Sequence, residues 1–133
     1  MAPNKSVIAF RKLTVDMQRE IFNDAVAELH SQADALLGVM KGSVPKGPTS
    51  NLANSLRQEQ GKKETVVVIR AGGSSTTVGS GGRSYDYARA VEFGARNIPA
   101  QPFFFPSYRL MRKTIRSAMR RKITKRIKQY SAE

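Results

Sequence analysis

The stretch Tyr85–Pro106, YDYARAVEFGARNIPAQPFFFP, decides how the rest of this chain is read. Its first half is a short amphipathic segment, with Tyr87, Ala90, Val91 and Phe93 apolar and Asp86, Arg89 and Glu92 polar. The segment halts at Gly94, as a helix does where the next residue must turn to positive φ and a Cβ would be strained. Pro99, Pro102 and Pro106 then fix φ at close intervals and hold the residues before them in extended conformations. Phe103, Phe104 and Phe105 are therefore carried by a stiff connector. Adjacent aromatics cannot all face one core, so at least one of them is expected to point toward a second element or a second molecule.

Upstream, Phe22, Val26, Leu29, Ala33, Leu36 and Met40 recur at spacings of 4, 3, 4, 3 and 4, which predicts a helix between Thr14 and Met40. Thr14 reads as its N-cap with Asp16 in the first turn, Gly42 lies just past its end, and Pro45 bars continuation. The stripe is too short for a coiled coil and reads as core packing. Residues 43–50, SVPKGPTS, form a turn-rich connector, and Ser50 or Thr49 is placed to cap a short helix through Leu52 and Leu56. Thr65–Ile69 is β-branched throughout and predicts a strand covered on both faces. Thr76–Val78 is a candidate partner for it across Gly72–Ser74, and residues 57–64 a further strand ending in the Gly61-Lys62-Lys63 turn.

Downstream, a last helix is expected to start at Pro106 or Ser107, proline suiting a first-turn position, and to span about 106–130. Met111, Ile115, Met119, Ile123 and Ile127 stand every fourth residue along it. At 3.6 residues per turn that spacing drifts by about 40° per step, so the stripe spirals and one flat neighbour cannot cover it. Its second half must find a different partner, fray, or lie against a neighbouring subunit. The expected class is α+β, a single domain over 1–133 with the long N-terminal helix and the basic C-terminal helix packed on a small, mostly antiparallel sheet.

The net charge of +13 is concentrated. Residues 107–133 hold 10 Lys and Arg against Glu133 alone, whereas residues 1–106 hold 13 basic and 9 acidic side chains. The positive field thus belongs to the C-terminal segment, where Arg109, Lys113, Arg116 and Arg120 share a helix face, onto which Ile123 and Ile127 later drift. It reads as a solvated face, a contact to an acidic protein ring or a lining that faces DNA. The chain has no cysteine, which removes disulfides, thiolate metal sites and a Cys nucleophile. It shows neither an apolar leader nor a membrane-spanning run.

No catalytic, metal or cofactor site is expected. The glycine-rich run from Gly72 to Gly82 lacks the Gly-Lys-Ser/Thr of a phosphate loop and reads as a hairpin or assembly loop. His30, the only histidine, sits within the long helix with no nucleophile or orienting group at hand. Glu92 has two readings: a solvated helix position, or a structural acceptor for backbone N–H groups of the following loop or for Arg96. Tyr87 and Phe103–Phe105 read as packing aromatics rather than base-stacking platforms, since they adjoin prolines and an apolar face instead of alternating with cations.

Tyr87, Ala88, Val91, Glu92, Phe93, Gly94, Pro99, Ala100, Pro102, Phe103 and Pro106 closely resemble the signature of the tail-completion, or neck, proteins of long-tailed bacteriophages. An upstream family motif, a proline followed by T-G-x-L and a serine, is matched by Pro45, Thr49, Leu52 and Ser55, with Ser50 where glycine is usual; Ala95 stands where threonine is common. The resemblance spans most of the chain and implies a virion protein assembled in the host cytoplasm as a ring of six copies. Its neighbours would be the head-side connector and the tail terminator or tube, with genomic DNA crossing the lumen. A small basic nucleic-acid-binding protein is the alternative, supported by charge and the aromatic cluster.

Overall fold

A computed structural model describes residues 4–45, 50–80 and 83–131. In chain order they form α1 (Lys5–Ser43), α2 (Asn51–Ser55), β1 (Arg57–Gln60), β2 (Val67–Arg70), a 3-10 turn at Ser74–Thr76, β3 (Thr77–Ser80), β4 (Arg83–Asp86), α3 (Tyr87–Phe93) and α4 (Phe105–Ser131). The class is α+β, as expected.

Helix α1 is longer than its apolar stripe. It starts after Asn4, whose Oδ1 accepts the Ser6 N–H at 3.0 Å, and not at Thr14. Thr14 lies mid-helix and donates its hydroxyl to the Phe10 carbonyl one turn back, which a helix tolerates. Gly42 is likewise inside the helix, which ends at Ser43 with Val44 extended before Pro45. Burial follows the partner rather than the pattern. Ala33, Leu36 and Met40 are buried, Val26 and Leu29 half-buried, and Phe22 is exposed.

The reason is α4, which lies antiparallel along α1. Met111 and Ile115 pack on the cluster around Leu36 and Met40, while Arg126 reaches Asp24 and the Tyr130 hydroxyl donates to Glu20. The second half of the spiralling stripe is covered only in part, Ile123 being half-buried and Ile127 exposed, and the contacts to α1 there are the polar ones of Arg126 and Tyr130. Arg126 grips Asp24 with Nε at 2.6 Å and Nη2 at 3.2 Å, and this contact holds the Asp24 carboxyl below its ordinary range. Past Tyr130 no partner remains among the described residues. The first turns of α1 therefore project as an arm on which Val7, Ile8, Phe10 and Leu13 are all exposed, Phe10 at 69%.

The strands form two separate antiparallel hairpins. β1 pairs with β2, Arg57 opposite Arg70 through Gln60 opposite Val67, and β3 pairs with β4, Thr77 opposite Asp86. Val67, Val68 and Ile69 are half-buried rather than covered on both faces, since β2 has one neighbour strand and α1 behind it. Thr76–Val78 does not pair with β2. Gly72 (φ 96°) and Gly73 (φ 139°) throw the chain aside into the 3-10 turn, so β3 meets β4 instead. The core where the elements converge comprises Leu36, Met40, Leu52, Leu56, Ala88 and Phe103. Thr49, Gly81 and Gly82, parts of the cap and loop readings above, lie outside the described residues.

Candidate assembly site

The signature residues gather at one corner, where α3, the connector and the start of α4 meet. Asp86 opens α3 as its N-cap, accepting the Ala88 N–H at 2.9 Å. The same carboxylate accepts the Gly73 N–H at 2.8 Å and the Thr76 hydroxyl at 2.6 Å, so it also pins the 3-10 turn and with it the second hairpin. A Cβ on Gly72 would collide with this carboxylate, which is why glycine stands there. Ser55 backs the arrangement, donating to the Leu52 carbonyl at 2.6 Å and accepting the Gly72 N–H at 3.0 Å. Neither role was legible beforehand for these residues, although an aspartate directly before an apolar helical run is a recognisable cap signal.

Burial pushes the Asp86 carboxyl up, but the hydrogen bonds from Thr76, Ala88 and Gly73 and the charge of Arg57 more than offset it, leaving it below its ordinary value. A carboxyl with a lowered folded-state pKa contributes stability that is complete above the unfolded value of about 3.9 and is lost as pH falls through the folded one. Urea midpoints should therefore drop between pH 5 and pH 3, roughly the range in which carboxylates protonate, and Asp86→Asn should show a shallower drop. Asp24 and Glu59 are lowered too, by Arg126 and by Arg57 with Arg70, and feed the same acid limb. The difference between wild type and Asp86→Asn isolates Asp86; equal slopes would show that its bonds are equally strong in the neutral form.

At the far end of α3 the chain turns at Gly94, φ 83°, with its N–H bonded to the Ala90 carbonyl at 2.7 Å. Ala95 and Ile98 exchange both backbone hydrogen bonds, and Gln101 N–H returns to the Val91 carbonyl at 2.7 Å. The connector is thus folded back against the helix it leaves. A Cβ at Gly94 would meet Ala100 N at 3.2 Å and the Ile98 carbonyl oxygen at 3.3 Å. Gly94→Ala should cost about 1 kcal/mol and Gly94→Val more, through strain at positive φ. Thermal melts check the order Gly, Ala, Val; an unchanged melt in the Val variant would contradict it.

Glu92, 7% exposed, is neither solvated nor paired with Arg96. Its Oε2 accepts the N–H groups of Phe103 at 2.8 Å and Phe104 at 2.9 Å, and its Oε1 that of Phe105 at 3.0 Å. Helix α4 starts at Phe105, one residue earlier than expected, and the first N–H groups of a helix have no partner inside it. Glu92 supplies that partner from another helix, and its charge suits the positive end of α4. Pro106, next in line, has no N–H to satisfy.

This clamp sorts the aromatic triplet. Phe103 is 1% exposed in the core, Phe104 is half-buried with its ring edge-on to Phe103, and Phe105 is 43% exposed. Phe105 leans on Phe93, itself 63% exposed, with ring centroids 5.9 Å apart. Together they make an outward aromatic ridge beside a groove of about 190 Å³ lined by Asp86, Arg89 and Phe104 among others. Tyr87 and Val91 face inward onto the core, and Pro99 and Pro102 stay on the surface. Arg109, Lys113, Arg116 and Arg120 are all exposed on α4, away from this corner. His30 meets Gln58 at 3.0 Å as a partly buried helix residue. Comparison with protein-family models, curated proteins and solved structures finds no match for this chain.

Proposed function

We propose that this chain is a structural component of a phage virion, joining the DNA-filled head to the tail at the neck as a closed ring of copies. The observation that carries the reading is the Glu92 corner. The residues shared with the neck-protein signature act there on one geometric task, the rigid presentation of Phe105 and Phe93 to the outside. A polar loop would serve solubility better, and an outward aromatic pair on a clamped turn suits a contact surface.

A ring is supported by where the uncovered apolar surfaces lie. The Phe93–Phe105 ridge is at the start of α4, whereas the α1 arm with Phe10 projects beyond its end, and a 27-residue helix separates them by about 40 Å. Two different surfaces at opposite ends join copies head to tail, and such contacts close into rings when the rotation permits. The test is cryo-electron microscopy of particles carrying a tagged copy of the chain. Rotationally symmetric density at the head–tail junction is expected; a tag elsewhere on the particle, or a single copy, would overturn the reading.

A further inference from the structure

Helix α4 carries 10 cations, and of these only Arg126 forms ion pairs with described residues, Asp24 and Glu20. The face turned toward α1 is marked by the buried Ala118 and the half-buried Met111 and Ile115. At about 100° per residue, Arg109, Lys113, Arg116 and Arg120 fall within roughly 60° of one another on the opposite side, rising in steps of about 5–6 Å. Arg121, Lys125 and Lys128 are exposed as well, on the adjoining face roughly 90–150° round the helix from this line, while Ile127 falls on the line itself. Like charges at such spacings disfavour the helix, so this face is built at some expense in stability.

We infer that the outer face of α4 binds the phosphate backbone of double-stranded nucleic acid, without reading sequence. An acidic protein is the competing class of partner, and the composition of the face argues against it. Protein interfaces bury an apolar, aromatic-rich centre and are depleted of lysine. Beyond Phe105, the large apolar side chains exposed on α4 among the described residues are Tyr108, Leu110 and Ile127, which stand singly and form no apolar centre on the cation line. The aromatic surfaces suited to protein contact lie elsewhere, on the ridge and the arm. A hydrated polyanion needs no apolar centre, because its affinity comes from counterion release along a line of cations. The outer side chains of the line hold no base-stacking aromatic, so contact is confined to phosphates. The inference stands on this charge geometry and not on the neck reading.

The test is fluorescence anisotropy of a labelled duplex of mixed sequence, titrated with the purified full chain across a salt series. Binding with a dissociation constant of about 10⁻⁴–10⁻⁶ M at physiological salt is expected, with a logarithmic salt slope of about −0.9 per phosphate contacted. The variant carrying Arg109→Gln, Lys113→Gln, Arg116→Gln and Arg120→Gln should keep its circular dichroism and lose about 3–4 units of that slope. A control with Lys62→Gln, Lys63→Gln and Arg96→Gln, which lowers net charge away from α4, should change the slope by less than 1 unit or so. Absence of duplex binding at low salt, an unchanged slope in the fourfold variant, or an equal loss in the control would overturn the assignment. Competition by polyglutamate as strong as by unlabelled duplex of equal charge would also overturn it, in favour of an acidic protein partner.

Discussion

Glu92→Ala is expected to destabilise the fold by roughly 2–4 kcal/mol, since it strands one buried and two part-buried N–H donors, and a fully buried donor left unsatisfied costs about 1–3 kcal/mol. The donors belong to Phe103, Phe104 and Phe105, and no other acceptor among the described residues reaches them. Removing the carboxylate also strips a negative charge from the positive end of a 27-residue helix. Glu92→Gln should recover part of the loss, because its carbonyl oxygen still accepts while its NH₂ confronts one N–H with another donor. Urea unfolding followed by circular dichroism gives the magnitudes, and hydrogen exchange at residues 103–107 locates them. An alanine variant melting within about 2 °C of wild type would show that water replaces the clamp, a shift that size being well under 1 kcal/mol for a domain of this length.

That clamp was half legible in the sequence. A glutamate in the last turn of a short helix before a proline-stiffened loop suggests an acceptor, and backbone N–H groups were one of the named partners. What sequence does not contain is the return of the connector, which the Gln101-to-Val91 hydrogen bond and the turn at Gly94 bring about. The same limit explains the other differences. The β-branched run predicts a strand but not its partner, and the pairing was decided by two adjacent glycines at positive φ that turn the chain aside. The apolar stripe of α1 predicts a helix but not what covers it: Phe22 within the stripe is exposed, while Met17 and Ile21 outside it are half-buried. Conversely, the heavy charge on α4 was plain from composition, and the structure adds that its cations face outward with Arg126 as the exception.

The adjacent phenylalanines permit the sharpest separation of folding from assembly. Phe103 is 1% exposed and belongs to the small core with Leu36, Met40, Leu52, Leu56 and Ala88. Phe103→Ala should cost about 3–5 kcal/mol, the loss of transfer energy plus the cavity left behind. Against a total stability of about 5–15 kcal/mol for a domain of this class, that is a large share of the whole and should lower the melt by many degrees. Phe105, 43% exposed, touches Phe93 and Phe104 with ring centroids at 5.9 and 5.2 Å, and the Glu92 bond to its N–H does not involve its side chain. Phe105→Ala should therefore shift stability by about 1 kcal/mol or less. If the ridge is the contact surface of the ring, this mild variant should nonetheless fail to join heads to tails, since exposed aromatics at the centre of an interface carry about 2 kcal/mol or more of its binding energy. The measurements are the thermal melt of each variant and the fraction of joined particles when each complements a deletion. A Phe105→Ala protein that joins particles as well as wild type would remove the ridge from the interface, whatever its melt. A Phe103→Ala protein that melts like Phe105→Ala would place the triplet's rotation about the chain differently from the clamp described here, because the Glu92 bonds hold the backbone of all these residues with the Phe103 ring in the core, Phe104 packed against it and Phe105 outside.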